Sequence, residues 1–146
     1  MLNTLGAIQD NWLYSVPLRA LPKDSTKIVV AARNNETWSK GIPAGIIFST
    51  DTNDKNSILS DAKWKCKGFA GELGEKWPII EAKTIIQNDV VNSVDWESWL
   101  PAVEPNLSST WGLRPKIDLG TNWIWAARNN EDGLPLQNVI CVKQLR

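Results

Sequence analysis

The chain has 146 residues, about the size of one domain, and its 16 basic residues balance its 16 acidic residues. The formal net charge is zero, whereas proteins that bind nucleic acids or anionic membranes usually carry an excess of positive charge. We therefore expect neither partner. No apolar run reaches the length of a membrane span, and the sequence has no histidine, the most common general base and zinc ligand.

Short β-rich segments follow one another along the chain. Turn signals separate them at intervals of about ten residues, which is typical of an all-β sandwich or barrel. No segment shows a sustained helical period of apolar residues, so we expect only a helical turn, at residues 57–61 or 96–100. No linker divides the chain, which predicts one domain over residues 1–146. The predicted strands are residues 13–18, 26–32, 44–50, 64–66, 82–86, 123–127 and 139–144.

Nine tryptophans, against two phenylalanines and one tyrosine, suit either a core rich in indole rings or a sugar- or protein-binding surface, and a core is the simpler interpretation for most of them. In the strand at residues 123–127, Trp123 and Trp125 share one face and Ile124 takes the other, because side chains alternate along a strand. Both faces are apolar, so we expect this strand to be covered on both sides.

The sequence AARNNE occurs twice, at residues 31–36 and 126–131, each time after a β-rich run. Each copy predicts a strand that ends in a polar loop. Two turns of one kind would need the same residues, since Asn tolerates positive φ and bonds to its own backbone. Alternatively, the amides at the strand ends contact a ligand, as loop residues often do.

The first of these loops has the composition of a sugar-binding site. It combines a guanidinium, two amides, a carboxylate and an indole within residues 33–38. Sugar hydroxyls need planar polar partners, and the C–H face of a sugar ring stacks on Trp. The second loop repeats the amides without the aromatic residue and fits a turn better. The candidate ligand-binding residues of the two loops are Arg33, Asn34, Asn35, Glu36, Trp38, Asn129 and Asn130.

Two further polar clusters are weaker candidates. Asp51, Asn53 and Asp54 offer the oxygen ligands that calcium prefers, but they lack the glycine and terminal Glu of an EF-hand, and a solvated turn is the simpler interpretation. Asp95 and Glu97 supply two carboxylates, but no geometry brings them to the two sides of a glycosidic bond. We therefore expect no enzyme activity and no required cofactor, with calcium as the open candidate.

Six motifs follow one another along the chain, namely residues 2–12, 21–35, 41–48, WKC at 64–66, WIW at 123–125 and VICVK at 139–143. Their order resembles the galactose-binding-domain-like jelly rolls of extracellular adhesion proteins and glycosidase accessory domains. The resemblance covers nearly the whole chain and implies a jelly-roll β-sandwich with a lectin-like function. It also implies a disulfide between Cys66 and Cys141, whose spacing alone allows either a disulfide or two buried thiols. A disulfide implies an oxidising, extracellular location.

One departure from the family pattern suggests a second function. The family's opening strand would precede Leu2, so the sequence is truncated, the strand is lost, or another chain supplies it. The last option leaves an open sheet edge for strand addition. The alternative function is therefore a structural or adhesion subunit, in a homo-oligomer or a larger extracellular assembly. The expected partner of the leading function is a carbohydrate or glycoprotein.

Overall fold

The computed structural model describes residues 21–33, 45–50, 58–69, 79–104, 120–127 and 137–145. Within these residues β-structure predominates and the helices are short, which agrees with the predicted all-β class at a coarse level. The elements in chain order are β1 (Lys27–Arg33), β2 (Lys65–Phe69), α1 (Ile79–Ile85), a π-helical segment (Ile86–Val91), a 3₁₀ helix (Asp95–Ser98) and β3 (Asn138–Gln144). No helix in the described ranges is both long and apolar enough to cross a membrane.

The three strands form one antiparallel sheet in the order β1–β3–β2. β3 pairs with β1 over its whole length, from Arg33 opposite Asn138 to Lys27 opposite Gln144. It pairs with β2 over its first five residues. The first five residues of β3, residues 138–142, are all buried, as expected for a central strand covered on both faces. Residues directly opposite each other in neighbouring strands project to the same face, so the register sorts the side chains into two faces.

One face carries the disulfide and is called the disulfide face here. Cys66 and Cys141 lie directly opposite each other in β2 and β3, with 4.1 Å between their Cα atoms, and their sulfurs are bonded. The implied Cys66–Cys141 disulfide is therefore present. Extended segments pack on this face and join one another through the bridges Ile46–Ile124, Ser49–Leu59 and Val103–Trp125.

The strands predicted at residues 44–50 and 123–127 contribute to this packing through single bridges rather than continuous ladders. Trp123, Ile124 and Trp125 are all buried, which confirms that both sides of this segment are covered. The prediction of a helical turn at residues 57–61 is wrong for its described part, because Leu59 bridges to Ser49. The other predicted turn is confirmed by the 3₁₀ helix Asp95–Ser98.

The opposite face of the sheet packs against α1 and the helical turns that follow it, and is called the helical face. Val29, Ile140 and Val142 from the sheet contact a cluster that includes Val90, Trp96 and Trp99. The predicted strand at residues 82–86 is therefore wrong, since this segment is helical. The sequence does contain a helical pattern here, because the buried residues Ala82, Ile86 and Val90 are four residues apart and so lie on one side of a helix.

Candidate functional site

Arg33 is the last residue of β1 and the member of the predicted ligand set that the structure describes. The other predicted ligand residues lie outside the described ranges, and the same holds for the calcium candidates. Those residues are Asn34, Asn35, Glu36, Trp38, Asn129 and Asn130 for the ligand, and Asp51, Asn53 and Asp54 for calcium.

Arg33 begins a row of three side chains that crosses the sheet. The register places Asn138 of β3 opposite Arg33, and Phe69 of β2 opposite Asn138 on its other side. Directly opposite side chains have Cβ atoms about 5 Å apart and share a face, here the helical face on which Phe69 packs. Arg33, Asn138 and Phe69 are called the end row, because they close this end of the sheet.

The centre of the end row is a buried amide. Asn138 is only 4% exposed, and its Oδ1 atom has no hydrogen-bond partner within the described part of the chain. A buried acceptor without a donor costs free energy, on the order of 1 to 3 kcal/mol, so native proteins rarely leave one unpaired. The oxygen is closed to solvent, so a ligand hydroxyl or amide would become its donor once a neighbouring side chain of the row moves aside.

The end row is open toward solvent on its β1 side. Arg33 and Phe69 are only partly buried, and Ala31, which lies next to Arg33 on the same face, is exposed. The helical turns thus cover the middle of the helical face and leave its β1 edge accessible at this end.

Lys67 adds a positive charge beside the end row. It precedes Phe69 by two residues and therefore lies on the same face. Its Nζ atom is 5.3 Å from the centre of the Phe69 ring and 5.9 Å from the centre of the Trp99 ring, within the range of a cation–π interaction. Two aromatic rings thus fix the position of an otherwise exposed ammonium group.

The charges of the sheet have one sign. The three strands contain five basic residues and no acidic residue, although the whole chain is neutral. By the register, all of them except Lys143 lie on the helical face. Lys65 donates through Nζ to the backbone carbonyl of Glu97, whereas no described residue forms an ion pair with Arg33 or Lys67. The five residues are Lys27, Arg33, Lys65, Lys67 and Lys143.

The described residues contain no group of three or more metal-binding side chains that could hold an ion. Asp95 and Glu97 lie in the 3₁₀ helix on either side of the buried Trp96. Residues two apart on a helix do not face each other, so these carboxylates are not placed on the two sides of a common substrate.

A surface hollow lies near the opposite end of the sheet. Residues that include Lys23, Ser25 and Lys143 line it, together with the apolar side chains of Leu21 and Ile58. No aromatic ring is among its described lining residues, so it lacks the stacking surface that the end row has.

Asn138, Phe69 and Lys67 were missed by the sequence analysis. Each comes from a strand distant in sequence from Arg33, so only the strand register brings them together. One signal was available, namely that the β-rich runs around these residues contain Lys, Arg and Asn but no Asp or Glu.

Comparison with models of protein families, with characterised proteins and with solved structures gave no match to this chain. The function therefore has to be argued from the end row and its surroundings.

Proposed function

We propose that the protein is a non-catalytic, lectin-like carbohydrate-binding module on a jelly-roll β-sandwich, acting in an oxidising, extracellular compartment. The observation that carries the proposal is the end row, in which a guanidinium, a buried amide with an unpaired oxygen and a phenyl ring stand side by side. The resemblance of the motifs to galactose-binding-domain-like proteins points in the same direction.

The chemistry of the end row suits a sugar. Arg33 supplies several donors in one plane, and Asn138 supplies an acceptor that requires a donor, as a hydroxyl group can provide. Phe69, which is partly buried, adds an apolar contact beside them. Arg33 is followed in the sequence by residues 34–38, whose amides, carboxylate and indole are predicted from the sequence to contact the same ligand.

The disulfide supports the proposed location. Cys66 and Cys141 are bonded and buried, and such structural disulfides persist in oxidising compartments and are rare in the cytosol of most organisms. Extracellular lectins work in such compartments.

The proposal is tested with an array of neutral and acidic oligosaccharides, followed by titration of the best-binding glycan. Binding is measured through the fluorescence of the nine tryptophans, one of which, Trp99, is 5.9 Å from the Lys67 ammonium. Arg33→Ala should weaken binding at least tenfold. Lys27→Ala is the matched control, because Lys27 lies on the same strand and face as Arg33 but at the far end, opposite Gln144.

Asn138→Leu separates a binding role from a structural one. This change removes the unpaired acceptor and keeps a side chain of similar size, so stability should be unchanged or higher while glycan binding is lost. Absence of binding to every glycan at millimolar concentration would overturn the proposal. Binding that survives both Arg33→Ala and Asn138→Leu would place the site elsewhere.

The alternative function, a structural or adhesion subunit, is favoured by a different observation. Val91, Val94, Leu100 and Val103 are large apolar side chains that remain exposed, and β1 has no strand neighbour on its outer side within the described ranges. Both features could contact another chain. Light scattering on a sizing column distinguishes the two functions, since a stable oligomer that ignores sugars would favour assembly.

A further inference from the structure

The charge of the helical face points to a particular class of sugar. We infer that the ligand of the end row is an acidic sugar, one that carries a carboxylate as uronic acids do, and that Arg33 and Lys67 together select it. The inference rests on the proposed carbohydrate-binding function and adds to it the charge of the ligand.

The basic residues of the strands have no acidic residue within the strands to compensate their charge. The chain as a whole is neutral, yet the strands hold five basic residues and no acidic one. The helical turns that follow this face in the fold carry acidic residues, but no described residue forms an ion pair with Arg33 or Lys67. A carboxylate on the sugar would give both residues an oppositely charged partner. The described acidic residues of those turns are Glu81, Asp89, Asp95 and Glu97.

The strand register sets the distance between the two basic residues. Arg33 and Lys67 lie on the outer strands of the sheet, two residues apart in register, which separates their Cα atoms by about 12 Å. Asn138 lies between the two strands. Both side chains are long and lie on the face of Asn138, so both can reach one ligand there, and the Arg33 guanidinium can bind a carboxylate through two parallel hydrogen bonds.

Lys67 is oriented before any ligand binds. Its ammonium is held over the rings of Phe69 and Trp99 although the side chain is exposed. A cation held in this way is already oriented when a ligand arrives, so less side-chain freedom is lost on binding. A lysine that merely covered two aromatic rings would have no effect on the choice between an acidic and a neutral ligand.

The experiment compares acidic sugars with their own methyl esters, which keep the shape and remove the charge. Galacturonate, glucuronate and sialic acid oligomers are titrated in parallel with their esters at low and at physiological salt. We expect the acid to bind at least tenfold more tightly than its ester at low salt, with a smaller ratio at higher salt because screening weakens the charge interaction.

Variants assign the selection to the proposed residues. Lys67→Gln should reduce the ratio of acid to ester affinity to below about threefold. Lys143→Gln, which removes an equal charge from the disulfide face, is the matched control and should leave the ratio unchanged. An unchanged ratio in Lys67→Gln would overturn the role of Lys67.

The outcomes separate this inference from the proposed function. Equal binding of acid and ester, or binding of neutral glycans alone, would overturn the acidic ligand and leave the carbohydrate-binding function standing. Absence of binding to any acidic, esterified or neutral sugar would overturn the function itself.

Discussion

Ser60 shows how a small polar side chain fixes the layer that packs on the disulfide face. It is fully buried, its Oγ accepts a hydrogen bond from the Phe48 backbone N–H at 3.0 Å and donates one to the Asn122 carbonyl at 2.6 Å. Its own backbone bonds to the same two residues. One serine thus joins three segments that are far apart in sequence.

Ser60→Ala should lower the free energy of unfolding by about 1 to 3 kcal/mol, because it leaves a buried N–H without its acceptor and a carbonyl without its donor. Ser98→Ala is the matched control. The Ser98 hydroxyl donates to the Asp95 carbonyl at 2.7 Å, but the bond is exposed, so the loss should stay within about 0.5 kcal/mol. Urea denaturation measures both values, and equal losses would contradict the role assigned to Ser60.

Individual residues also mark the limit of prediction from sequence. Arg33 was found because it stands beside amides and an indole in the sequence itself. Asn138 was not found, because its significance depends on burial and on an unpaired oxygen, and neither is visible before strands are placed in register. Contacts between residues near in sequence could be predicted, whereas contacts made through the sheet could not.

The disulfide links two strands that are 75 residues apart in sequence and neighbours in the sheet. A crosslink over such a distance limits the freedom of the unfolded chain, and the chain-entropy model assigns it about 4 kcal/mol. The double variant Cys66→Ala/Cys141→Ala should lose stability of this order in urea denaturation. A reducing agent should lower the midpoint of the wild type and leave that of the double variant unchanged. A wild-type midpoint that ignores the reductant would contradict this prediction.

The helical segment at residues 79–98 shows where local sequence signals conflict. Isoleucines and Thr84 favour a strand, since β-branched side chains pack well on a sheet. The spacing of four between Ala82, Ile86 and Val90 favours a helix, and burial against the sheet decides for it. The strands β1 and β3 carried no such conflict, and their predicted positions agree with the structure to within one residue.

The contribution of the helical segment can be measured with two valines. Val90 is 1% exposed and packs on the helical face, whereas Val94 is 66% exposed. Val90→Ala should cost about 2 kcal/mol of stability, because it removes buried methyl groups and leaves a cavity. Val94→Ala should change stability by less than about 0.5 kcal/mol. Thermal and urea denaturation of both variants test the packing, and a small effect at Val90 would show that the segment is not part of the core.

Across the molecule, charge is distributed unevenly although its sum is zero. The strands are basic, and acidic residues of the described ranges lie on the helices and connections, such as Asp61, Asp89, Glu97 and Glu104. The zero net charge argues against nucleic acids and anionic membranes as partners. It is a sum over the whole chain, however, and does not show that basic and acidic residues lie in different elements. The net charge alone therefore gave no sign of the basic residues on the helical face, on which the inference of an acidic sugar depends.

Association of the whole molecule decides between a binding module and an assembly subunit. A stable interface buries about 800 Å² on each partner, which corresponds to 20 or more residues. Among the residues that the structure describes, only four large apolar side chains are exposed, and of these only Val94 is more than half exposed. A binding module that needs no second copy predicts a monomer of 16.3 kDa in light scattering over about a hundredfold range of concentration. A dimer that persists on dilution and dissociates in Val94→Asp would contradict this expectation and favour the assembly function.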